Sequence, residues 1–268
     1  MLTHLQVSEF EQQGLLRLPQ TVPAATALAM RDRLWAFLSV MHGRRQDDPA
    51  TWKALDGRTR FKVLMRTGAF DELSEHLAGP VTGLLGPGTW NPPAHWGHPL
   101  VTFPGPGRDW AIPATGWHVD SHQWSAGEVP GLVAFTFLDE VLPRGGGTLV
   151  MPGSHRLTWQ LCQRAGGFMS TGEMKSVLAG EHAWFAGLWR EPVTDQDQLR
   201  RYLDEGAVVE GTRVRVAELC GQPGDVVLMN QRVLHVAAPN ALATPRMMLS
   251  DFIAYSGPVP RGLTACGA

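Results

Sequence analysis

The chain has 268 residues, room for one large domain or two small ones. A hydrophobic content of 44% is that of an ordinary globular core, and a net charge of −2 offers no basic face to nucleic acid. No apolar run approaches the roughly 18 residues of a membrane-crossing helix, and Met1-Leu2-Thr3-His4 leads into a polar segment unlike a signal peptide. Cys162, Cys220 and Cys266 stand at wide, unpatterned spacings. They point to free thiols in a cytoplasmic protein, with no zinc knot.

In chain order, Ser8-Glu9-Phe10-Glu11 has the form of a capping box, and Gly14 ends the short helix it opens. Leu15-Leu16-Arg17-Leu18-Pro19 is expected to be a small strand. Residues 23–42 form the clearest helix, with Pro23 in its first turn and Leu28, Met30, Leu34, Phe37, Leu38 and Met41 as an apolar stripe. Residues 43–60 are a polar, basic loop. A shorter helix is expected near Phe70–Leu77, followed by turns from Pro80 to Pro93.

From Pro99 the character changes. Leu100–Phe103, Trp117–Asp120, Gly131–Leu138, Thr148–Met151, Thr212–Leu219, Val226–Met229, Leu234–Ala237 and Met247–Ala254 have strand composition, separated by Gly- and Pro-rich turns. Residues 157–204 are expected to be a partly helical insertion. Seven or eight short strands predict a mainly β sandwich or barrel with flanking helices.

The chemistry gathers at Trp117-His118-Val119-Asp120. Side chains two apart on a strand share a face, so His118 and Asp120 can converge on one point. A second imidazole would complete the two-His-one-carboxylate set that holds Fe(II) and leaves open positions. His235 is the candidate, since it follows the turn Gly224-Asp225 and a strand. Arg246 lies eleven residues further on, and a reversal at Asn240–Ala241 would bring both to one height in the barrel. Taken alone, Arg246 reads as a surface charge. Beside a metal site, its planar fork suits the far carboxylate of a 2-oxo diacid chelated at the metal.

These segments, with Gly146-Gly147-Thr148-Leu149-Val150-Met151-Pro152-Gly153-Ser154-His155, Gly224-Asp225-Val226-Val227 and the opening Phe10–Leu18, resemble the phytanoyl-CoA dioxygenase family. The resemblance spans about residues 5–255 in pieces. It implies a double-stranded β-helix, a jelly-roll or cupin-like core, in a single domain over 1–268. A helical region 1–95 would pack on the barrel. It also implies an Fe(II)- and 2-oxoglutarate-dependent dioxygenase that hydroxylates a small organic substrate with O2, releasing succinate and CO2. His118, Asp120 and His235 would be the iron ligands and Arg246 the carboxylate anchor. Phe135 would stand beside 2-oxoglutarate, and Thr102 would be a hydrogen-bond partner for it. Some relatives carry a serine two residues after the distal histidine. Here that residue is Ala237, so Arg246 acts alone or borrows a hydroxyl such as that of Ser250. Related halogenases lack the carboxylate; Asp120 favours oxygenation.

His122, four residues from His118, is expected at the pocket mouth rather than on the metal, and His155 as a support of the turn after Pro152. His182, Trp184 and Trp189 suit a substrate entrance, a lid or plain core. Arg44, Arg45, Arg58, Arg60 and Lys62 suit a solvated loop better than a CoA phosphate site. Two other readings stand beside the oxygenase: a non-catalytic cupin-like binding protein, and a metal hydrolase on a β-barrel. The organic substrate and the oligomeric state are not legible.

Overall fold

A computed structural model describes residues 2–55, 60–105, 110–121 and 129–257. His122, Trp124, Arg58 and Cys266 lie outside these residues. The first strand is β1 (Leu15–Leu18). After it come β2 (His98–Thr102), β3 (Gly131–Phe137), β4 (Leu149–Val150), β5 (Ala207–Val209) and β6 (Thr212–Val214). The last four are β7 (Ala217–Glu218), β8 (Val226–Asn230), β9 (His235–Val236) and β10 (Arg246–Ala254). A five-stranded antiparallel sheet runs in the order β1-β8-β3-β10-β2, and a three-stranded sheet in the order β7-β4-β9; β5 and β6 form a separate hairpin.

Both faces of β3 are buried, which is why the strand is apolar except at Thr136. Val133, Phe135, Phe137, Val227, Met229 and Met248 join one cluster, in the interior between the sheets, with Val150 of the small sheet. Their neighbours Leu132, Ala134, Leu228, Met247, Leu249 and Ile253 face the other way. That outer face is covered by two of the N-terminal helices, α2 (Ala24–His42) and α4 (Leu73–Leu85). The buried face of α2 is Ala27, Met30, Leu34, Trp35 and Leu38, while Met41 is exposed.

The small sheet is backed by helices too. These are α5 (Ser154–Arg164), α6 (Thr171–Glu181), α7 (Ala183–Leu188) and α8 (Gln196–Arg200), the last running into a π-helical turn at Arg201–Glu205. Their apolar side chains cluster with Trp117, Val119, Leu149, Met151 and Val236 from the outer face of that sheet. Trp184 packs edge-on against Phe185 and Tyr202. It therefore belongs to this core. Among the described residues, no helix is long and apolar enough to cross a membrane.

Several boundaries differ from the sequence expectation. Helix α1 (His4–Gln13) starts earlier, because Thr3 and Gln6, and not Ser8 and Glu11, form the capping box. Gly14 does end it, at φ 70°, and a Cβ there would meet His155 Nδ1 at 2.5 Å. Pro23 is the residue before α2 and lies outside its first turn. The helix expected near 70–77 is instead a short α3 (Phe61–Met65) and then α4, which runs through Pro80. Leu73, Leu77, Val81 and Leu85 recur every fourth residue and are all buried. Burying that ridge outweighs the hydrogen bond lost at proline. Strand β5 was not expected, and Trp117–Asp120 makes a single bridge, His118 to His235, rather than a regular strand.

One buried acid on the outer face makes a stability prediction. Asp251 Oδ1 accepts from Gly97 N at 2.6 Å, but Oδ2 is buried without a partner, and burial raises its pKa from 3.8 to about 7. A folded pKa above the unfolded one means that stability is fullest below about pH 4 and is lost as the pH rises through about 7. Asp251→Asn keeps the acceptor for Gly97 and removes the charge. The variant should gain roughly 2–4 kcal/mol over the parent at pH 8 and little at pH 4, as read by urea denaturation at both pH values.

Candidate active site

The segment around His118 is drawn onto the small sheet by backbone pairing. His118 and His235 exchange both N–H···O bonds at 3.0 Å, and Asp120 N and Ser121 N both donate to Gln231 O. The Gln231 side chain in turn donates to Leu132 O and Ile253 O of the large sheet. Trp117 and Val119 enter the outer core, so His118 and Asp120 are turned to the opposite side, as alternation requires. His235, between outward-facing Leu234 and Val236, meets them there.

The two imidazoles are held in one tautomer. His118 Nδ1 lies 2.8 Å from Gly116 O and His235 Nδ1 lies 3.0 Å from Val233 O. A carbonyl only accepts, so each Nδ1 carries the hydrogen and each Nε2 of the neutral ring presents a lone pair. Both Nε2 atoms face Asp120, at 3.9 Å from Oδ1 for His118 and 3.5 Å from Oδ2 for His235, and the ring centroids are 4.1 Å apart. Burial depresses the His235 pKa, the Asp120 charge opposes that, and His118 adds to it.

Three electron-rich donors thus converge with no hydrogen between them. Their separations exceed a hydrogen bond. They are also shorter than two of the roughly 2.0–2.2 Å bonds that imidazole and carboxylate make to a divalent transition ion. The donor set therefore fits a metal. A second group, Glu181, His182 and Glu210, has comparable spacing, but Arg164 already pairs with both carboxylates.

Arg246 is buried on the interior face of β10. Its Nη2 donates to Thr102 Oγ1 at 2.8 Å and its Nη1 to Thr148 Oγ1 at 3.3 Å, while Nε is buried without a partner. Burial lowers its pKa to about 10, against the opposing charge of Glu218, so the guanidinium is cationic at neutral pH. Val150 pairs with His235, and Thr148 lies two residues along the same face of that chain. The guanidinium is thus about 7 Å deeper in the barrel than the imidazole, at roughly 3.3 Å per residue, and not at the one height expected from the reversal. The reversal between His235 and Arg246 is held by Asn240, whose Nδ2 donates to Thr102 O and Thr244 O. Strands β9 and β10 lie in different sheets, so the reversal carries the chain from one sheet to the other.

Phe135 lines the interior but pairs with Ser250, four residues along β10 from Arg246. Ser250 contributes nothing to the guanidinium; its hydroxyl is 3.5 Å from His98 O. The borrowed hydroxyls are those of Thr102 and Thr148. Neither Thr148 nor Glu218 is marked by the sequence motifs as a site residue. The in-out alternation of 148–151 was the available signal for Thr148, which shares a face with Val150. His155 stands at the start of α5, just after the turn at Pro152. Its Nε2 donates to Glu11 O at 3.1 Å and ties α5 to α1, and burial lowers its pKa to about 4.

The family model for phytanoyl-CoA dioxygenase matches residues 10–248, nearly the whole chain. The chain belongs to the phytanoyl-CoA dioxygenase family. It is accordingly an Fe(II)- and 2-oxoglutarate-dependent oxygenase, which removes the non-catalytic and hydrolase readings. Solved structures share the fold. EvdO2 from Micromonospora carbonacea var. aurantiaca is 20% identical, with a TM-score of 0.52 over 99% of this chain and 98% of its own. EctD from S. alaskensis is 18% identical, with a TM-score of 0.55 over 95% and 77%. The epimerase SnoN, solved with Fe3+, alpha ketoglutarate and nogalamycin RO, is 14% identical, with a TM-score of 0.52 over 98% and 91%. No curated protein matches the chain.

Proposed function

We propose that His118, Asp120 and His235 are the iron ligands. Arg246, flanked by Thr102 and Thr148, would take the distal carboxylate of 2-oxoglutarate, and the enzyme would hydroxylate a small organic molecule, releasing succinate and CO2. The observation that carries this is a desolvated guanidinium, with one donor still open, set about two residues below three converging metal-type donors. When bound, iron with O2 and 2-oxoglutarate supplies the oxidising power that breaks a C–H bond.

The chain supplies position and field. Backbone carbonyls hold both imidazoles with their lone pairs aimed inward, so no tautomer shift is needed on metal binding. Asp120 offsets part of the metal charge. Arg246 sits in a low-dielectric site, where its grip on a carboxylate is stronger than in water. Phe135 would form part of the interior wall. The retained Asp120 carboxylate favours oxygenation over halogenation. SnoN is described as an epimerase from nogalamycin biosynthesis, so this fold carries other outcomes too.

A small secondary metabolite or amino-acid derivative fits better than an acyl-CoA. Of the basic loop, Arg44 bonds the carbonyls of His42 and Lys53, and Arg45 pairs with Asp47, so both side chains are engaged locally. We read the chain as one oxygenase domain with a helical insertion, in the cytoplasm; among the described residues neither Cys162 nor Cys220 is in a disulfide. The test is a single turnover. Anaerobic protein with Fe(II) and 2-oxoglutarate should show a weak visible charge-transfer band, and admitting air should bleach it and yield succinate. Iron-loaded protein that gives neither the band nor succinate refutes the reading.

A further inference from the structure

The chain segment that delivers Thr148 to Arg246 is the turn Arg144-Gly145-Gly146-Gly147. It is an improbable piece of backbone. Arg144 holds a φ of 68°, a left-handed value that a non-glycine residue adopts at a cost. At Gly147 a Cβ would meet Leu219 O at 2.2 Å and Glu218 Cγ at 3.0 Å. Backbone bonds from Gly145 N to Leu142 O and from Ala241 N to Arg144 O hold part of this turn, and one side chain gathers the amides they leave.

Glu218 stands on β7 opposite Leu149 of β4. Its Oε2 accepts from Arg144 N at 2.6 Å and its Oε1 from Gly147 N at 2.9 Å, with a further backbone bond from Gly146. The carboxylate thus sits in a nest of successive N–H groups, where such turns bind anions. Leu219 N donates to Thr148 O at 2.9 Å, locking the next residue to the same strand. Glu218 also acts on Arg246 through its charge.

We propose that Glu218 is a positioning residue for the co-substrate: by pinning the Arg144–Gly147 turn it sets Thr148 against Arg246, and so fixes the fork that receives the distal carboxylate. This rests on the reading of Arg246 as that carboxylate's anchor. Glu218 touches neither co-substrate nor metal; it acts through Thr148 and through its charge on the guanidinium. Glutamine at 218 retains one carbonyl acceptor and turns an N–H donor toward the nest. The turn then loses at least one charge-assisted bond, and Thr148 is released from the guanidinium.

The test is calorimetric titration of the anaerobic Fe(II)-loaded protein with 2-oxoglutarate and with 2-oxopentanoate, a 2-oxo acid lacking the distal carboxylate. Glu218→Gln should weaken 2-oxoglutarate about ten-fold, the scale of one lost hydrogen bond to a charged group, and leave 2-oxopentanoate unchanged. Thr148→Val, which exchanges the hydroxyl for a methyl group, should do the same. The double variant should be no weaker than the worse single one, because the two act in series. If Glu218→Gln does not fold, Thr148→Val carries the selective loss expected of the fork. An unchanged 2-oxoglutarate affinity in Glu218→Gln, an equal loss for both acids, or full additivity overturns the inference while leaving the anchor intact. Arg246→Gln separates the two ideas. If that variant still prefers 2-oxoglutarate over 2-oxopentanoate, the anchor reading fails and takes this one with it.

Discussion

Replacing Arg246 by glutamine should raise the half-saturating concentration of 2-oxoglutarate by about 100-fold or more. Truncating one partner of a buried, hydrogen-bonded charge pair costs about 2–5 kcal/mol, and each 1.4 kcal/mol is ten-fold in affinity. The same change should cost the resting fold little. Burial pulls the guanidinium pKa down to about 10, so the cation is a burden on the protein without its ligand. Glutamine can still bond Thr102 and Thr148. The expected signature is therefore a split: a thermal midpoint near the parent's, unaltered iron content and a large rise in KM for 2-oxoglutarate. Arg246→Lys should recover only part of the loss, because an ammonium is a point charge without the planar fork. A variant that loses iron together with co-substrate affinity would place Arg246 in the metal site's scaffolding instead.

The site was legible where the chemistry repeats with the geometry of a strand. His118 and Asp120 stand two apart, and Trp117 and Val119 between them are apolar, so one face was bound to be polar and convergent whether or not the segment formed a ladder. It does not form one beyond a single bridge, yet the alternation survives. His235 and Arg246 were linked through the turn between them, and the turn is real, held by the Asn240 side chain. What sequence could not supply was contact between residues distant along the chain. Glu218 reaches its turn across more than 70 residues, and nothing local distinguishes it from a surface glutamate. Arg232 is fully buried, with its guanidinium 4.8 Å from the centre of the Trp159 ring and Nη1 3.7 Å from Cys162 Sγ. In sequence it is one more arginine after a strand. The helix through Pro80 differs from the sequence expectation for the opposite reason. Proline locally disfavours a helix interior, but a buried ridge of four apolar residues decides the outcome.

Asp120→Ala should abolish succinate formation, and the cause should be visible before any turnover. Outer partners of metal ligands cost about 10–100-fold in metal affinity when removed. Losing a ligating carboxylate, the only anion among the three converging donors, should exceed that range. In the parent, excess Fe(II) should raise the thermal midpoint, since a ligand at 100 times its dissociation constant adds about 2.7 kcal/mol. The alanine variant should lose most of that rise. Without metal, however, it should be as stable as the parent. Asp120 faces two imidazole lone pairs at 3.5 and 3.9 Å, and neither neutral ring can donate to it. The carboxylate therefore accepts no hydrogen bond from those rings, and only a bound cation joins the three groups. Stability lost only in the presence of iron identifies a residue placed for the metal. Stability lost equally in its absence would mean that Asp120 holds the His118 segment in place, and the ligand set would have to be sought again among the groups that surround His235.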